Sequence, residues 1–156
     1  MKKARIKTPL GIAELSGDEN GLASVKVFDE GDISEKIPGD LQPACEQLNS
    51  YFKGDLKNFD LKINPHGTDF QKRVWKKLRE IPYGETTSYL ELSRDLGDEK
   101  AIRAVASANG KNPLWIIIPC HRVIGSDGSL TGYAGGLNRK KWLLDLENPP
   151  SQQSLF

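Results

Sequence analysis

The chain has 156 residues, of which 28% are charged and 37% hydrophobic, values typical of a globular protein with one domain or two small ones. We expect a cytoplasmic protein without a membrane span, because no apolar run reaches about 18 residues and the basic N-terminus lacks a secretory segment. The net charge of +1 divides into −2 over residues 1–62 and +3 over residues 63–156. This division favours an anionic partner for the second part, although an ordinary mixed-charge surface explains so small a difference as well.

Residues 1–64 are predicted to form a small α/β domain. The apolar segments Ile12–Leu15 and Leu22–Phe28 flank a long polar turn, which indicates a β-hairpin. The apolar spacing within Pro43–Phe52 predicts a helix. Alternation over Phe59–Ile63 indicates an edge strand that closes this part of the chain.

Residues 65–148 carry stronger helix signals. Thr68 and Gln71 form a capping box that opens a helix to about Glu80. Ser88 and Glu91 repeat the pattern and open a short helix to Leu96, and after Gly97 a third helix is predicted with Asp98 as its cap. Two short helices joined by a glycine turn resemble a helix-turn-helix, and an ordinary helical hairpin fits the same pattern.

The most apolar segment, Leu114–Ile118, is predicted to be a buried strand that leads directly into Pro119, Cys120 and His121. After a glycine-rich loop, a last helix is predicted with Asn138 as its cap and Glu147 at its end. Residues 149–156 are rich in Pro, Ser and Gln, and we expect a disordered tail there.

Cys120 is the candidate nucleophile of the chain. A free thiol has a pKa of about 8.5 and becomes reactive when a base or a cation favours the thiolate, and His121 stands next to this thiol. Papain-like hydrolases also combine Cys with His, but usually far apart in sequence, and the local signature of their cysteine is absent. Cys45, inside an amphipathic helix, is interpreted as a core residue.

The segment Pro119–Val123 resembles the active-site motif of the O6-alkylguanine-DNA alkyltransferases, the methylated-DNA–protein-cysteine S-methyltransferases. The resemblance covers about residues 66–147, and residues 1–62 match only in general shape. Further segments are similar in order and spacing: Phe70-Gln71, Val74-Trp75, Leu78, Ile81–Gly84, Ser88-Tyr89, Arg103–Val105, Asn109-Gly110, Asn112-Pro113 and Gly132–Gly136.

The resemblance implies an α+β fold. A ribonuclease H-like domain, with a small β-sheet and a helix, would precede a winged-helix-like helix-turn-helix domain that carries the active-site cysteine. It implies direct-reversal DNA repair, in which the alkyl group of O6-alkylguanine passes irreversibly to Cys120 and each protein acts once. O4-alkylthymine stays open as a second substrate. No cofactor is implied, and a soft thiolate suits displacement at an alkyl carbon.

The resemblance also implies roles for individual residues. Cys120 would be the acceptor, His121 the base that activates it through a water, and Glu147 the carboxylate that orients His121. The amide of Asn112 would tie the cysteine loop to the preceding helix. Around the substrate, the carbonyls of Cys120 and Val123 would face the guanine amino group. Four more residues complete the implied pocket: Tyr89 as donor to the guanine ring, Tyr133 and Ala134 as lining with the Ala134 N–H directed at O6, and Asn109 as a determinant of width.

The implied partner is double-stranded DNA, bound through its minor groove by a monomer. Arg103 would turn out the damaged nucleotide together with Tyr89, at a cost of about a few kcal/mol for unstacking. Around it the third helix carries small residues that permit close approach to a groove only about 6 Å wide, although simple helix propensity also explains them. These small residues are Ala101, Ala104 and Ser107.

Two other functions remain as alternatives, and no metal site is expected. A non-enzymatic lesion sensor of the same family would lack the cysteine, and a helix-turn-helix regulator would leave the Pro119–Val123 motif unexplained. Some family members bind zinc in the N-terminal part, but this part has only Cys45 and no histidine before His66, so we predict no metal.

The last five residues resemble the short peptide with which bacterial replication and repair proteins hold the DNA sliding clamp. Leu155 and Phe156 would fill an apolar pocket, Gln152 would hydrogen-bond at its rim, and Ser154 occupies the motif's polar position. A terminus that binds nothing is the alternative.

Overall fold

The structure, a computed structural model, describes residues 1–149, which fall into two groups of contacting elements. One group is Met1–His66 together with Pro113–Ile117, and the other is Gly67–Asn112 together with the residues from Ile118 onward. The architecture is α+β, as predicted, with a small sheet in the first group and mainly helices in the second. The short segment Pro113–Ile117 packs with the first group, although the sequence places it within the second part of the chain. Among the described residues, no helix is both long and apolar enough to cross a bilayer.

The first group is built on an antiparallel sheet of three strands: β1 (Lys2–Thr8), β2 (Gly11–Asp18) and β3 (Gly21–Phe28). The predicted hairpin is thus confirmed as β2 and β3, and β1 pairs on its other side. Alternate residues of β1, including Ala4 and Ile6, are buried, which is the pattern of a sheet with one covered face. Helix α1 (Gln42–Phe52) follows a 3-10 turn and buries Leu48 and Tyr51.

Two predicted strands are absent, and the structure gives a local cause for the second of them. Of Phe59–Ile63, only Ile63 forms a bridge, to Leu22. Leu114–Ile118 is buried, but it pairs with the sheet at Leu114 and then turns, because Ile116 has a φ of 74° and the Ile117 N–H donates to the Trp115 carbonyl at 2.8 Å. This three-residue turn is a rare and strained conformation for a β-branched residue. The apolar composition of Leu114–Ile118 therefore indicated that the segment is buried, but it did not indicate whether the backbone is extended.

The second group contains four helices and one short parallel strand pair. Its elements are α2 (Asp69–Leu78), β4 (Thr87–Ser88), α3 (Tyr89–Asp95), α4 (Ile102–Gly110), β5 (Val123–Ile124) and α5 (Leu137–Glu147). The capping box of α2 is confirmed: the Gln71 N–H donates to the Thr68 hydroxyl, and the Gln71 amide oxygen accepts from the Thr68 N–H. Trp75 of α2 donates its indole N–H to the Ala108 carbonyl of α4 at 2.8 Å, which fixes these two helices together.

Two predicted helix starts differ from the structure. Asp98 accepts from the Lys100 N–H and caps a 3-10 turn, Glu99–Ala101, which precedes α4. Helix α5 begins at Leu137 and not after Asn138, because Gly136, with a φ of 94°, turns the chain into the helix two residues earlier. The Gly136 carbonyl then accepts from the Lys140 N–H at 3.1 Å.

Candidate active site around Cys120

Cys120 begins a 3-10 turn, Cys120–Arg122, that connects the apolar segment to β5. Its side chain is almost fully buried, and its N–H donates to the Ile118 carbonyl at 2.8 Å. The side-chain amide of Asn112, just beyond the end of α4, donates to the same carbonyl at 2.8 Å. Asn112 therefore joins the cysteine turn to the preceding helix.

Burial dominates the acid–base behaviour of Cys120. It raises the pKa of the thiol to about 11, whereas a hydrogen bond from Asn112 and the positive charge of Lys140 act in the opposite direction. A thiol in this site is mostly protonated at neutral pH, so the nucleophilic thiolate must be generated by a base and stabilised by neighbouring groups.

His121, Arg122 and Glu147 form a buried network beside the thiol. His121 Nε2 lies 2.7 Å from Glu147 Oε2, and Arg122 donates to both carboxylate oxygens at 2.8 and 3.0 Å. Burial pushes the pKa of Glu147 upward, but the hydrogen bonds from His121 and Arg122 outweigh it and hold this pKa well below its usual value. Arg122 also donates to the Ile81 carbonyl at 2.7 Å.

The same network sets the tautomer of His121. Burial lowers the pKa of its imidazole more than Glu147 raises it, so the ring is neutral at pH 7. Because Glu147 is ionised, Nε2 carries the proton and donates it to the carboxylate, which leaves the lone pair on Nδ1. Within the described part of the chain, this buried Nδ1 has no hydrogen-bond partner. His121 is thus prepared to accept one proton at Nδ1.

A cavity of about 610 Å³ lies in the same group of elements. Of the residues singled out from the sequence, Tyr89, Arg103, Tyr133 and Ala134 line it. The other lining residues are Ile102, Ala106, Gly110, Thr131 and Gly132. The Tyr89 hydroxyl donates to the Thr131 carbonyl at 3.1 Å, which holds α3 against the glycine-rich loop. The volume is within the usual range for pockets that take small ligands or single ligand groups.

The remaining candidates, Cys120 and Val123 among them, do not belong to the residues that line this cavity. Ala104 and Ser107 are exposed on α4, as is Arg103, whereas Ala101 is half-buried in the turn before that helix. Asn109 is buried and is not among the cavity-lining residues, since the neighbouring Gly110 takes that place. Its Oδ1 has no hydrogen-bond partner in the described residues. Its side chain hydrogen-bonds the Tyr89 hydroxyl, which lowers the pKa of that hydroxyl, although burial raises this pKa more strongly.

Two buried cations were not identified as site residues from the sequence. Arg122 lies within the Pro119–Val123 motif. Its ion pair with Glu147 could not be predicted from the sequence, because the two residues are 25 positions apart in the chain. Lys140 lies on α5 and donates to the Val123 carbonyl. The family resemblance implies that this same carbonyl faces the guanine amino group. Lys140, Leu143 and Glu147 lie on one face of α5, and all three are buried. The helical spacing of these residues was the signal in the sequence that could have indicated a buried Lys140.

The described residues contain no group of three or more His, Cys, Asp and Glu side chains that could hold a metal ion. His66 is exposed. The predicted absence of a metal in the protein stays a prediction.

Comparison with known proteins identifies the family over both parts of the chain. The family model "6-O-methylguanine DNA methyltransferase, DNA binding domain" matches residues 69–149, and the corresponding "ribonuclease-like domain" matches residues 1–65. A methylated-DNA–protein-cysteine methyltransferase of Methanosarcina barkeri is 52% identical, over 91% of this chain and 94% of the relative.

Solved structures agree with these matches. The crystal structure of the O6-methylguanine methyltransferase of Mycobacterium tuberculosis superposes with a TM-score of 0.84 at 45% identity, covering 99% of this chain and 98% of that one. A second structure of the M. tuberculosis protein, in complex with DNA, also has a TM-score of 0.84, at 48% identity over 92% and 90% of the two chains. The chain therefore belongs to the 6-O-methylguanine DNA methyltransferase family.

Proposed function

We propose that this protein repairs alkylated DNA by direct reversal, as a methylated-DNA–protein-cysteine methyltransferase, and that Cys120 is the residue that receives the alkyl group. The observation that carries the proposal is a buried thiol next to a neutral histidine whose Nε2–H is held by an ionised glutamate. Neither a lesion sensor nor a transcriptional regulator needs such a network, because neither forms a bond to its ligand.

The proposed reaction is a single displacement at carbon. The thiol proton of Cys120 passes through a water molecule to Nδ1 of His121, and the sulfur forms a bond to the alkyl carbon. The bond between that carbon and O6 breaks, and its electron pair stays on the guanine. We propose that the guanine takes up a proton from the Tyr89 hydroxyl, and that the proton accepted by His121 returns through water to the Tyr89 oxygen. The product is a thioether, which has no good leaving group, so each protein reacts once.

DNA recognition is assigned to the exposed face of α4. Arg103 is exposed there and lines the cavity, so its side chain can occupy the space left by an extruded nucleotide while the base enters the cavity. The exposed Ala104 and Ser107 beside it allow the helix to approach a narrow minor groove without reading sequence. The M. tuberculosis relative was crystallised with DNA. Action as a monomer and a cytoplasmic location stay predictions.

Replacing Arg103 by alanine should slow transfer from duplex DNA by tenfold or more, while transfer from free O6-benzylguanine changes little. The reason is that a free base does not need to be unstacked, a step that costs about a few kcal/mol in a duplex. Single-turnover rates on both substrates test this, with Lys76→Ala on the exposed side of α2 as a control for lost charge. Equal losses on the two substrates would refute a role for Arg103 in base extrusion.

The clamp-binding peptide, residues 152–156, lies outside the described residues, and we retain it as a proposal. Its support is the pattern of Gln152, Ser154, Leu155 and Phe156. A synthetic tail peptide should bind a bacterial sliding clamp at micromolar concentration, and a peptide with Leu155→Ala and Phe156→Ala should not, because the apolar anchor is lost. Fluorescence anisotropy with both peptides measures this. An unchanged affinity of the whole protein after deletion of residues 152–156 would contradict the proposal.

A further inference from the structure

Asn109 is a buried polar residue at a firmly held position of the fold. It lies in the last turn of α4 and is only 1% exposed. The chain is held on both sides of it: the Ala108 carbonyl accepts from the Trp75 indole N–H at 2.8 Å, and the Asn109 carbonyl accepts from the Asn112 N–H at 3.4 Å. The Asn109 side chain therefore projects from a rigid part of the helix, directly before Gly110, which lines the cavity.

The side-chain amide of Asn109 contacts the Tyr89 hydroxyl through its nitrogen. Within residues 1–149, Oδ1 of Asn109 has no hydrogen-bond partner, so the hydrogen bond between this side chain and the Tyr89 hydroxyl is made by Nδ2. An amide nitrogen can only donate, and the Tyr89 oxygen is therefore the acceptor. A buried acceptor without a partner destabilises a fold, and an apolar side chain of the same shape would avoid this cost. Core packing therefore does not explain an asparagine at this position.

The Tyr89 hydroxyl is also held by the glycine-rich loop at the cavity. Its proton is shared between the Thr131 carbonyl at 3.1 Å and the Gly132 carbonyl at 3.4 Å. A Cβ on Gly132 would lie 3.2 Å from the Tyr89 oxygen, and the φ of Gly132 is +57°, so a glycine lets the loop approach this closely. Because Tyr89 lines the cavity, a base that enters it can compete with the two carbonyls for the phenol proton. The Asn109 amide keeps its contact with the oxygen throughout.

We infer that Asn109 is a positioning residue for alkyl transfer, whose amide N–H holds the Tyr89 oxygen while the phenol proton passes to the guanine. The inference rests on the proposed function, in which Tyr89 is the proton donor. As the O–H bond of Tyr89 breaks and the proton binds the guanine, the electron pair stays on the phenol oxygen until the proton from His121 returns through water. A hydrogen bond to a charged oxygen is about twice as strong as one to a neutral oxygen. Asn109 therefore stabilises the transition state more than the resting site.

A double-mutant cycle of Asn109→Leu and Tyr89→Phe tests this link. Leucine is close to asparagine in shape but cannot donate a hydrogen bond. Single-turnover transfer from free O6-benzylguanine is measured, so that DNA binding does not enter the rate. We expect Asn109→Leu to slow transfer about tenfold when Tyr89 is present. In the Tyr89→Phe background it should slow transfer less than about twofold, because no phenol oxygen is left to hold.

Ser93→Ala is the matched control for a lost polar contact to Tyr89. The buried Ser93 hydroxyl donates to the main-chain carbonyl of Tyr89 at 2.8 Å and leaves its phenol untouched, so this variant should transfer at close to the wild-type rate. An equal loss from Asn109→Leu in both backgrounds would overturn the inference, since a distorted cavity slows transfer whether or not the phenol is present. A normal rate of Asn109→Leu would overturn it as well. If Asn109→Leu does not fold, Asn109→Ala takes its place in the cycle.

Fluorine NMR provides a second measurement that requires no transfer, so its result is separable from a failure of the proposed repair activity. The four tyrosines are replaced by 3-fluorotyrosine, whose phenol is more acidic, and the Tyr89 signal is assigned from Tyr89→Phe. Burial raises the pKa of the Tyr89 hydroxyl and the hydrogen bond from Asn109 lowers it, so this pKa should be higher in Asn109→Leu than in the wild type and unchanged in Ser93→Ala. The titratable and charged groups around this hydroxyl and its cavity are retained in both variants: Cys120, Lys140, Arg103 and Tyr133. Identical pKa values in Asn109→Leu and the wild type would refute the contact on which the inference depends.

Discussion

Replacing Cys120 by serine should abolish alkyl transfer and leave binding to damaged duplex DNA intact. Removal of an enzyme's nucleophile can cost on the order of a millionfold in rate, so transfer should fall to background on duplex and on free base alike. The serine hydroxyl is close in size to the thiol, and the Asn112 amide beside it can hydrogen-bond the new oxygen. The exposed face of α4 is untouched by the change, so the affinity for DNA should persist.

Single-turnover transfer and DNA-binding titrations measure the two halves of this prediction. Cys45→Ser is the matched control, because Cys45 is also buried, on α1, but lies in the other group of elements. That variant should transfer at the wild-type rate. If transfer survives in Cys120→Ser, or disappears in Cys45→Ser, the assignment of Cys120 as the acceptor is wrong.

The Glu147→Gln variant should be the most strongly destabilised of the charge-removing variants, by about 3–5 kcal/mol in the free energy of unfolding at pH 7. The change leaves the buried guanidinium of Arg122 without its anion, and the glutamine NH2 group cannot accept one of the two hydrogen bonds that Arg122 donates to the carboxylate. His121 also loses the charged acceptor that fixes its tautomer, so transfer should slow as well. Asp145→Asn, which breaks an exposed pair with Lys141, should cost less than about 1 kcal/mol.

The pH dependence of stability gives a second check on Glu147 and His121. The folded pKa of Glu147 is below its unfolded value, so its stabilisation is complete above that unfolded value, about 4.5, and is lost as the pH falls through and below it. The folded pKa of His121 is also lowered, so its neutral form stabilises the fold above about pH 6.5, and stability declines as the pH falls from there. Urea unfolding between pH 2 and 8 should show this decline in the wild type. Glu147→Gln should lose the part below about pH 4.5, and an identical acid decline in both proteins would contradict the assignment.

Local hydrogen-bond chemistry explains which elements could be predicted from the sequence. The capping box at Thr68 and Gln71 involves neighbours in the chain, so the start of α2 was predicted correctly. Leu114–Ile118 shows the opposite case. Its apolar residues indicated burial, but the turn at Ile116 depends on how the surrounding chain packs, and no residue type in the segment signals it.

The candidate site divides in the same way. The adjacency of Cys120 and His121 pointed to thiol chemistry without any structural information, whereas Glu147 entered only through the family resemblance, because its contact with His121 spans 26 residues. Lys140 was missed for a related reason. A lysine in a helix is usually solvated, and only the folded chain places this one against the Val123 and Thr131 carbonyls.

The most direct test of the proposed function is the intact mass of the wild-type protein after incubation with an excess of duplex DNA that contains O6-methylguanine. The mass should rise by one methyl group per chain and then stop, and peptide mapping should locate that group on Cys120 and not on Cys45. Continued loss of O6-methylguanine beyond one equivalent per protein, or a methyl group on any other residue, would contradict transfer to Cys120 as the single repair step.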